Sequence, residues 1–176
     1  VSEKQERPGT GASMPEKIDF SQVSFLIVDQ NKLSTQLLRD ILAMLDVRHV
    51  RSVTSVERAR VVLQAEPFDI VITEYFMEPE NGIDLIEWVR NGFDSPDRMI
   101  PIIMLTANSE EEYVVRARDR GVTEFLAKPF NVEGLYRRLV SVIVRPRAFV
   151  NAESYFGPDR RRRQVPYDGP DRRGFD

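Results

Sequence analysis

Five short apolar runs recur along the chain, at Phe25–Val28, His49–Val53, Ile70–Thr73, Ile102–Leu105 and Glu124–Ala127. Each is too short for a buried helix, and most are rich in the β-branched residues that suit a pleated, buried surface, so they predict strands. Helical patterns separate them. Leu37, Leu38, Ile41, Leu42 and Leu45 keep the spacing of one apolar stripe. Val56, Ala59, Val62 and Leu63 repeat it, preceded by Thr54 with Glu57 three residues on, and Ile83, Leu85, Ile86 and Val89 follow Gly82. Tyr113, Val114 and Ala117 follow Ser109, with Glu112 completing a capping box and Gly121 closing the helix. Leu135, Leu139, Val142 and Ile143 make the last stripe, which Pro146 ends.

Strands alternating with helices in this way predict a parallel sheet covered on both faces. Right-handed crossovers leave few topologies. The expected one is α/β, a flavodoxin-like doubly wound five-stranded sheet in the order 2-1-3-4-5 with five helices. Outside this core the pattern fails. Residues 1–20 read as a disordered leader, 21–146 as the domain, and 147–176 as an arginine-rich tail, extended or disordered. That tail contains an internal repeat: YFGPDRR (Tyr155–Arg161) and YDGPDRR (Tyr167–Arg173) match at six of seven positions, twelve residues apart.

Composition narrows the class. With 176 residues, 41% hydrophobic and 30% charged, the chain holds one ordinary core, and no run approaches the roughly 18 apolar residues of a membrane span. The absence of cysteine removes disulfides and thiolate metal sites, and fits a reducing cytoplasm. The net charge of -3 argues against wholesale nucleic-acid binding. Six arginines against five acids over residues 151–176 leave only a slightly basic tail, whose Asp159, Asp168 and Asp171 dilute the basic field.

In a sheet of this order, function gathers at the carboxyl ends of the strands beside the switch point between the first and third. Asp29, Glu74, Thr106 and Lys128 stand at those ends. Two carboxylates suit a hard divalent cation, and a hydroxyl and an ammonium suit phosphate oxygens. Wet strand ends collect polar residues in any case, but four of complementary type are a pattern.

From about Ser21 to Arg145 the chain resembles a bacterial response-regulator receiver domain, CheY-like and of the single-domain type. The resemblance rests on FLIVDQN (Phe25–Asn31), VITEYFMEPENG (Val71–Gly82), IPIIMLTA (Ile100–Ala107) and EFLAKPF (Glu124–Phe130) taken together. It implies autophosphorylation on an acid ending the third strand, with Mg²⁺ held by a pair of acids after the first. Asp29 matches the first acid, Thr106 the switch hydroxyl, Phe125 the switch aromatic and Lys128 the phosphate-contacting lysine. Lys128-Pro129 matches a cis peptide, and the Phe76 carbonyl a metal ligand. Two positions depart. Gln30 replaces the second acid, and Glu74 replaces the phosphorylated aspartate.

Both departures weaken the chemistry. Glutamate is one methylene longer, and a displacement near 1 Å can cost in-line transfer about a hundredfold. Gln30 removes a formal charge from a hard-cation site, so any Mg²⁺ bound at Asp29, Glu74 and Phe76 is held weakly. The expectation is a pseudo-receiver, phosphorylation-independent, acting as a protein-interaction module. Glu74 then either imitates the charge of the phosphorylated state, pairing with Lys128 and drawing Thr106 inward, or belongs to an inert site. The acidic loop Glu78–Gly82 either recruits a cation or is simply solvated. A working receiver with weak Mg²⁺- and phosphate-dependent switching is the alternative. A flavodoxin-like enzyme is disfavoured, since no cofactor-cradling loop follows the first strand.

Partners are expected among proteins of a two-component pathway; a homodimer stays open, a membrane is not expected and nucleic acid is disfavoured. The resemblance implies an output face of Arg116, Arg120, Phe125, Tyr136 and Arg137, though a solvated basic face explains the arginines equally well. In the tail, Gly157-Pro158-Asp159 and Gly169-Pro170-Asp171 read as turns. Arg160, Arg161, Arg172 and Arg173 offer forked donors, and Tyr155 and Tyr167 offer rings to stack on. The tail is therefore a bivalent docking segment or a solvated tail, and an adaptor for nucleic acid through its arginines is the remaining alternative. His49, Trp88 and Met99 read as surface or packing residues.

Overall fold

A computed structural model describes residues 18–107 and 110–161. The chain alternates β1 (Ser24–Val28), α1 (Lys32–Met44), β2 (His49–Val53), α2 (Val56–Ala65), β3 (Ile70–Glu74), α3 (Gly82–Asn91), β4 (Ile102–Thr106), α4 (Glu111–Asp119), β5 (Glu124–Ala127) and α5 (Val132–Val144). The five strands run parallel in the order β2-β1-β3-β4-β5, as the pattern predicted.

Two core clusters lie on opposite faces of the sheet. Alternate strand residues divide between them: Leu26 and Val28 join α2, α3 and Ala117 of α4, whereas Phe25 and Ile27 join α1 and α5. Every residue of β3 and β4 is buried, which is why these runs read as continuously apolar rather than alternating. β2 is an edge strand and leaves His49 exposed.

Side-chain caps fix where several helices begin. Asn31, Ser55 and Asn131 each accept from backbone N–H groups in the first turns of α1, α2 and α5. Asn81 and Asp84 form a reciprocal capping box on α3. The expected box on Thr54 is not formed, because Ser55 caps α2 one residue later. For α4 the N-cap is Glu110, which makes no side-chain capping bond to the first turn, and Ser109 lies outside the described residues. Gly121 follows α4 at φ +96, a conformation that favours glycine.

Three expectations are corrected at the edges of the domain. Leu37 is 45% exposed, since the buried stripe of α1 is Leu38, Ile41 and Leu42. Phe20, assigned to the leader, is buried in the α1/α5 core and meets Tyr136 edge-on at 6.0 Å. Regular structure also resumes after Pro146. β6 (Phe149–Ala152) and β7 (Tyr155–Pro158) form an antiparallel hairpin that packs against the end of α3 and the α4–β5 turn. Residues 1–17 of the leader, and the second tail motif with Tyr167, Gly169, Pro170, Asp171, Arg172 and Arg173, lie outside the described residues.

The hairpin covers the base of the sheet, opposite the carboxyl ends of the strands. There Arg90 of α3 is fully buried and donates to the carbonyls of Gly121 at 3.0 Å and of Arg98 and Ile100 at 2.8 Å. Burial holds its guanidinium down at about 10, so it is charged at neutral pH. These bonds tie α3, the segment before β4 and the α4–β5 turn into one unit.

Candidate functional site

β1, β3, β4 and the turn after β5 bring Asp29, Glu74, Thr106 and Lys128 to one end of the sheet. Asp29 follows β1 and is almost wholly buried. Its Oδ1 accepts from the Asn31 backbone N–H at 2.8 Å, and its Oδ2 lies 3.2 Å from Lys128 Nζ. Lys128 reaches across the site because its own backbone is fixed, its N–H donating to the Thr106 carbonyl at 2.7 Å before a cis bond to Pro129.

Glu74 ends β3 and is buried. Its longer side chain folds back, so that Oε1 accepts from the backbone N–H groups of Tyr75 at 2.8 Å and Phe76 at 3.3 Å. Oε2 pairs directly with Lys128 Nζ. Three donors therefore surround this carboxylate, and Lys128 bridges it to Asp29. Close packing beneath requires Gly82, where an added Cβ would fall 2.2 Å from the Glu74 carbonyl oxygen.

Gln30 turns away from this cluster. Its amide donates to the Glu78 carbonyl and its carbonyl accepts from the Glu78 N–H at 3.3 Å, a reciprocal clasp between the β1–α1 and β3–α3 loops. On the other side of the acidic loop, Arg60 of α2 holds Glu80 with two bonds, at 2.7 and 3.2 Å, and lies over Trp88. The loop is pinned from both sides while Glu78 and Pro79 stay exposed, so it is solvated as expected but also held.

The oxygens present do not make a good Mg²⁺ site. Asp29 and Glu74 share Lys128, Glu74 also accepts two backbone N–H groups, and the Gln30 oxygen is spent on Glu78. Among the described residues no group of three or more histidine, cysteine or acidic side chains could hold a metal.

Thr106 is fully buried at the end of β4. Phe125 on β5 is half-buried against the α2/α3/α4 core, and its carbonyl accepts from Arg138 Nε at 2.8 Å. Around the rim, Tyr75, half-exposed Phe76 and Tyr113 of α4 form an aromatic triangle with centroids 4.6 to 5.3 Å apart. It joins the residues after Glu74 to α4, and nothing in the sequence pattern marked it. Arg90 carried a signal, since it stands four residues after Ile86 and continues the apolar stripe of α3.

The residues expected on the output face are not equally available. Arg116 is exposed on α4. Arg120 pairs with Glu87 of α3, Arg137 lies 3.5 Å from Glu133 within α5, and Tyr136 rests on Phe20.

The sheet order and the acid, hydroxyl and lysine at the strand ends define a receiver. A family model described as the response regulator receiver domain matches residues 25–140, and the chain belongs to that family. It is thus the receiver domain of a two-component response regulator, a signalling module that works with protein partners. Chemotaxis protein CheY-3 of Vibrio cholerae is 27% identical over 130 residues, covering 74% of this chain and 98% of that protein. Transcriptional regulatory protein KdpE of Staphylococcus aureus is 30% identical over 118 residues; the match covers 67% of this chain but 48% of KdpE, about half its length. Among solved structures, the chemotaxis response regulator CheY4 of Vibrio cholerae superposes with a TM-score of 0.62 at 26% identity, covering 69% of this chain and 98% of that one. Among the described residues no helix is long and apolar enough to cross a membrane.

Proposed function

We propose that this receiver works without phosphorylation, as a protein-interaction module whose site holds a fixed ion-pair cluster in place of a phosphoryl group. The observation that carries this reading is the Glu74 carboxylate, which folds back onto the Tyr75 and Phe76 N–H groups and pairs with Lys128. A nucleophile in that posture has its oxygens directed at donors rather than at an incoming phosphorus, and in-line transfer depends on close positioning. Gln30, clasped to Glu78, adds no charge for Mg²⁺. Lys128 is already drawn to the carboxylate, so Glu74 supplies a permanent version of one contact that a phosphoryl group would make. The Tyr75–Phe76–Tyr113 triangle connects that contact to α4, where exposed Arg116 offers a partner a positive charge.

The test is an amide NMR titration with Mg²⁺, then with Mg²⁺ plus beryllofluoride, which mimics a phosphoryl group. A flat response around Asp29, Glu74, Thr106 and Lys128 is expected. Saturable shifts at those four residues would sink the proposal and make the chain a phosphate-switched receiver.

A further inference from the structure

The first tail motif is a built contact. Tyr155 Oη donates to the Pro158 carbonyl at 2.7 Å, closing the turn, and the Tyr155 ring lies under the Arg160 guanidinium at 3.9 Å. Arg160 reaches Asp119 at the end of α4 at 3.3 Å, and Asp159 Oδ1 accepts from the Arg161 N–H at 2.9 Å. Gly157 is the point of closest approach: a Cβ there would fall 2.9 Å from Gly121 Cα and 2.6 Å from Tyr155 Oη. Glycine and arginine thus seat this segment on the base, while tyrosine and aspartate shape its turn from within.

The second copy repeats all of those residues at the same spacing: Tyr167, Gly169, Pro170, Asp171, Arg172 and Arg173. The one difference is Asp168 where the first copy has Phe156. That difference is also complementary, because the Arg98 guanidinium lies 4.0 Å from the centre of the Phe156 ring, where an acid would meet an opposite charge. Strand β6 pairs with its partner through backbone groups, which any residue in the second position supplies. The chain thus carries two segments of one pattern, the first of them seated on the base.

We propose that the base of this domain, formed by the end of α3, Arg98 and the α4–β5 turn, is a peptide-binding site for Tyr-x-Gly-Pro-Asp-Arg segments. The first copy is its resident occupant and Tyr167–Arg173 is its exchange occupant. Moving from one copy to the other lengthens the connecting loop by twelve residues, and loop-closure entropy grows only slowly with length. When the second copy is seated, Arg160 leaves Asp119 and the first copy is presented to solvent. The site lies at the opposite end of the sheet from Glu74 and does not depend on whether Glu74 accepts phosphate.

The test follows the amides of Gly121, Val122 and Thr123 in the full chain. Gly157→Val evicts the first copy by the clash with Gly121. The second copy then takes the seat, so these signals stay near their wild-type positions, and adding Gly169→Val to that variant displaces them. A synthetic peptide of residues 164–176, added to the double variant, brings them back, whereas the same peptide carrying the Gly169→Val change does not. Equal displacement in the single and double variants, with no response to peptide, overturns the proposal. If Gly157→Val unfolds the sheet, the peptide is titrated into the wild-type chain instead. Saturable shifts at the amides of Gly157 and Arg160, as the peptide displaces the first copy from the seat, are then expected, and their absence overturns the proposal.

Discussion

The two ends of the sheet each hold a cation, and they hold it in opposite ways. At the carboxyl ends of the strands, Lys128 sits between two carboxylates, Asp29 and Glu74, and remains 20% exposed. At the base, Arg90 is fully buried and answered by three backbone carbonyls. A flexible ammonium facing two acids is a contact that can be rearranged by adding or removing charge. A planar guanidinium on α3, wedged among three carbonyls of two other segments, is a fastener. One end has the means to respond, and the other keeps α3, β4 and the α4–β5 turn in register beneath it.

The largest effect that would break this contrast belongs to the fastener. Arg90→Ala leaves the carbonyls of Gly121, Arg98 and Ile100 without their donor and opens a cavity in the base. We expect a loss of about 3–5 kcal/mol in urea unfolding, the range for breaking a buried network. A change below about 1 kcal/mol would mean that water replaces the guanidinium and that the base is not a fastener. Next is the reversion of the site itself. Gln30→Asp with Glu74→Asp shortens the nucleophile and restores the second acid. Labelling by a small-molecule phosphodonor is expected to rise by about a hundredfold over the parent chain, the scale of a 1 Å correction in positioning. Equal labelling of both chains would show that the departures at 30 and 74 are not what limits phosphorylation.

These two ends were unequally legible in the sequence. The strand-end residues announce themselves because short apolar runs stop at polar residues, and Asp29, Glu74, Thr106 and Lys128 could be placed from that alone. The core was legible for the same reason: β3 and β4 have no polar face to confuse the pattern. The orientation of Gln30 was hidden, since its partners are backbone atoms of Glu78, forty-eight residues away. The hairpin was hidden too. Each of its strands is four residues long, and its stability comes from Gly157 against Gly121, from Arg98 over Phe156 and from Arg160 over Tyr155, none of which is a periodic signal. The contact between Tyr136 and Phe20 was hidden as well, since Phe20 lies in a segment that reads as leader.

A smaller effect measures how strongly the responsive end is coupled. Lys128→Met leaves two largely buried carboxylates facing each other, and Glu74→Gln in the same chain removes one charge of the pair. A double-mutant cycle over Lys128→Met and Glu74→Gln is expected to give a coupling of about 1–3 kcal/mol in unfolding free energy. Additive effects would mean that Asp29 alone holds Lys128, and Glu74 would lose its claim to act as a fixed charge.

The smallest effect concerns the clasp that sets Gln30 apart from an acid. Its amide both donates to and accepts from Glu78, so the two loops are joined by bonds of opposite direction. Gln30→Ala removes both, and Gln30→Glu keeps the acceptor but loses the donor. Because the position is exposed, water replaces much of what is lost, and each bond is worth no more than about 0.5–1.5 kcal/mol. Hydrogen exchange at the Glu78 amide separates the cases: it should quicken in Gln30→Ala and stay near the parent rate in Gln30→Glu. If both variants exchange like the parent, the acidic loop is held by Arg60 and Glu80 alone, and Gln30 is then a missing acid rather than a working part of the loop.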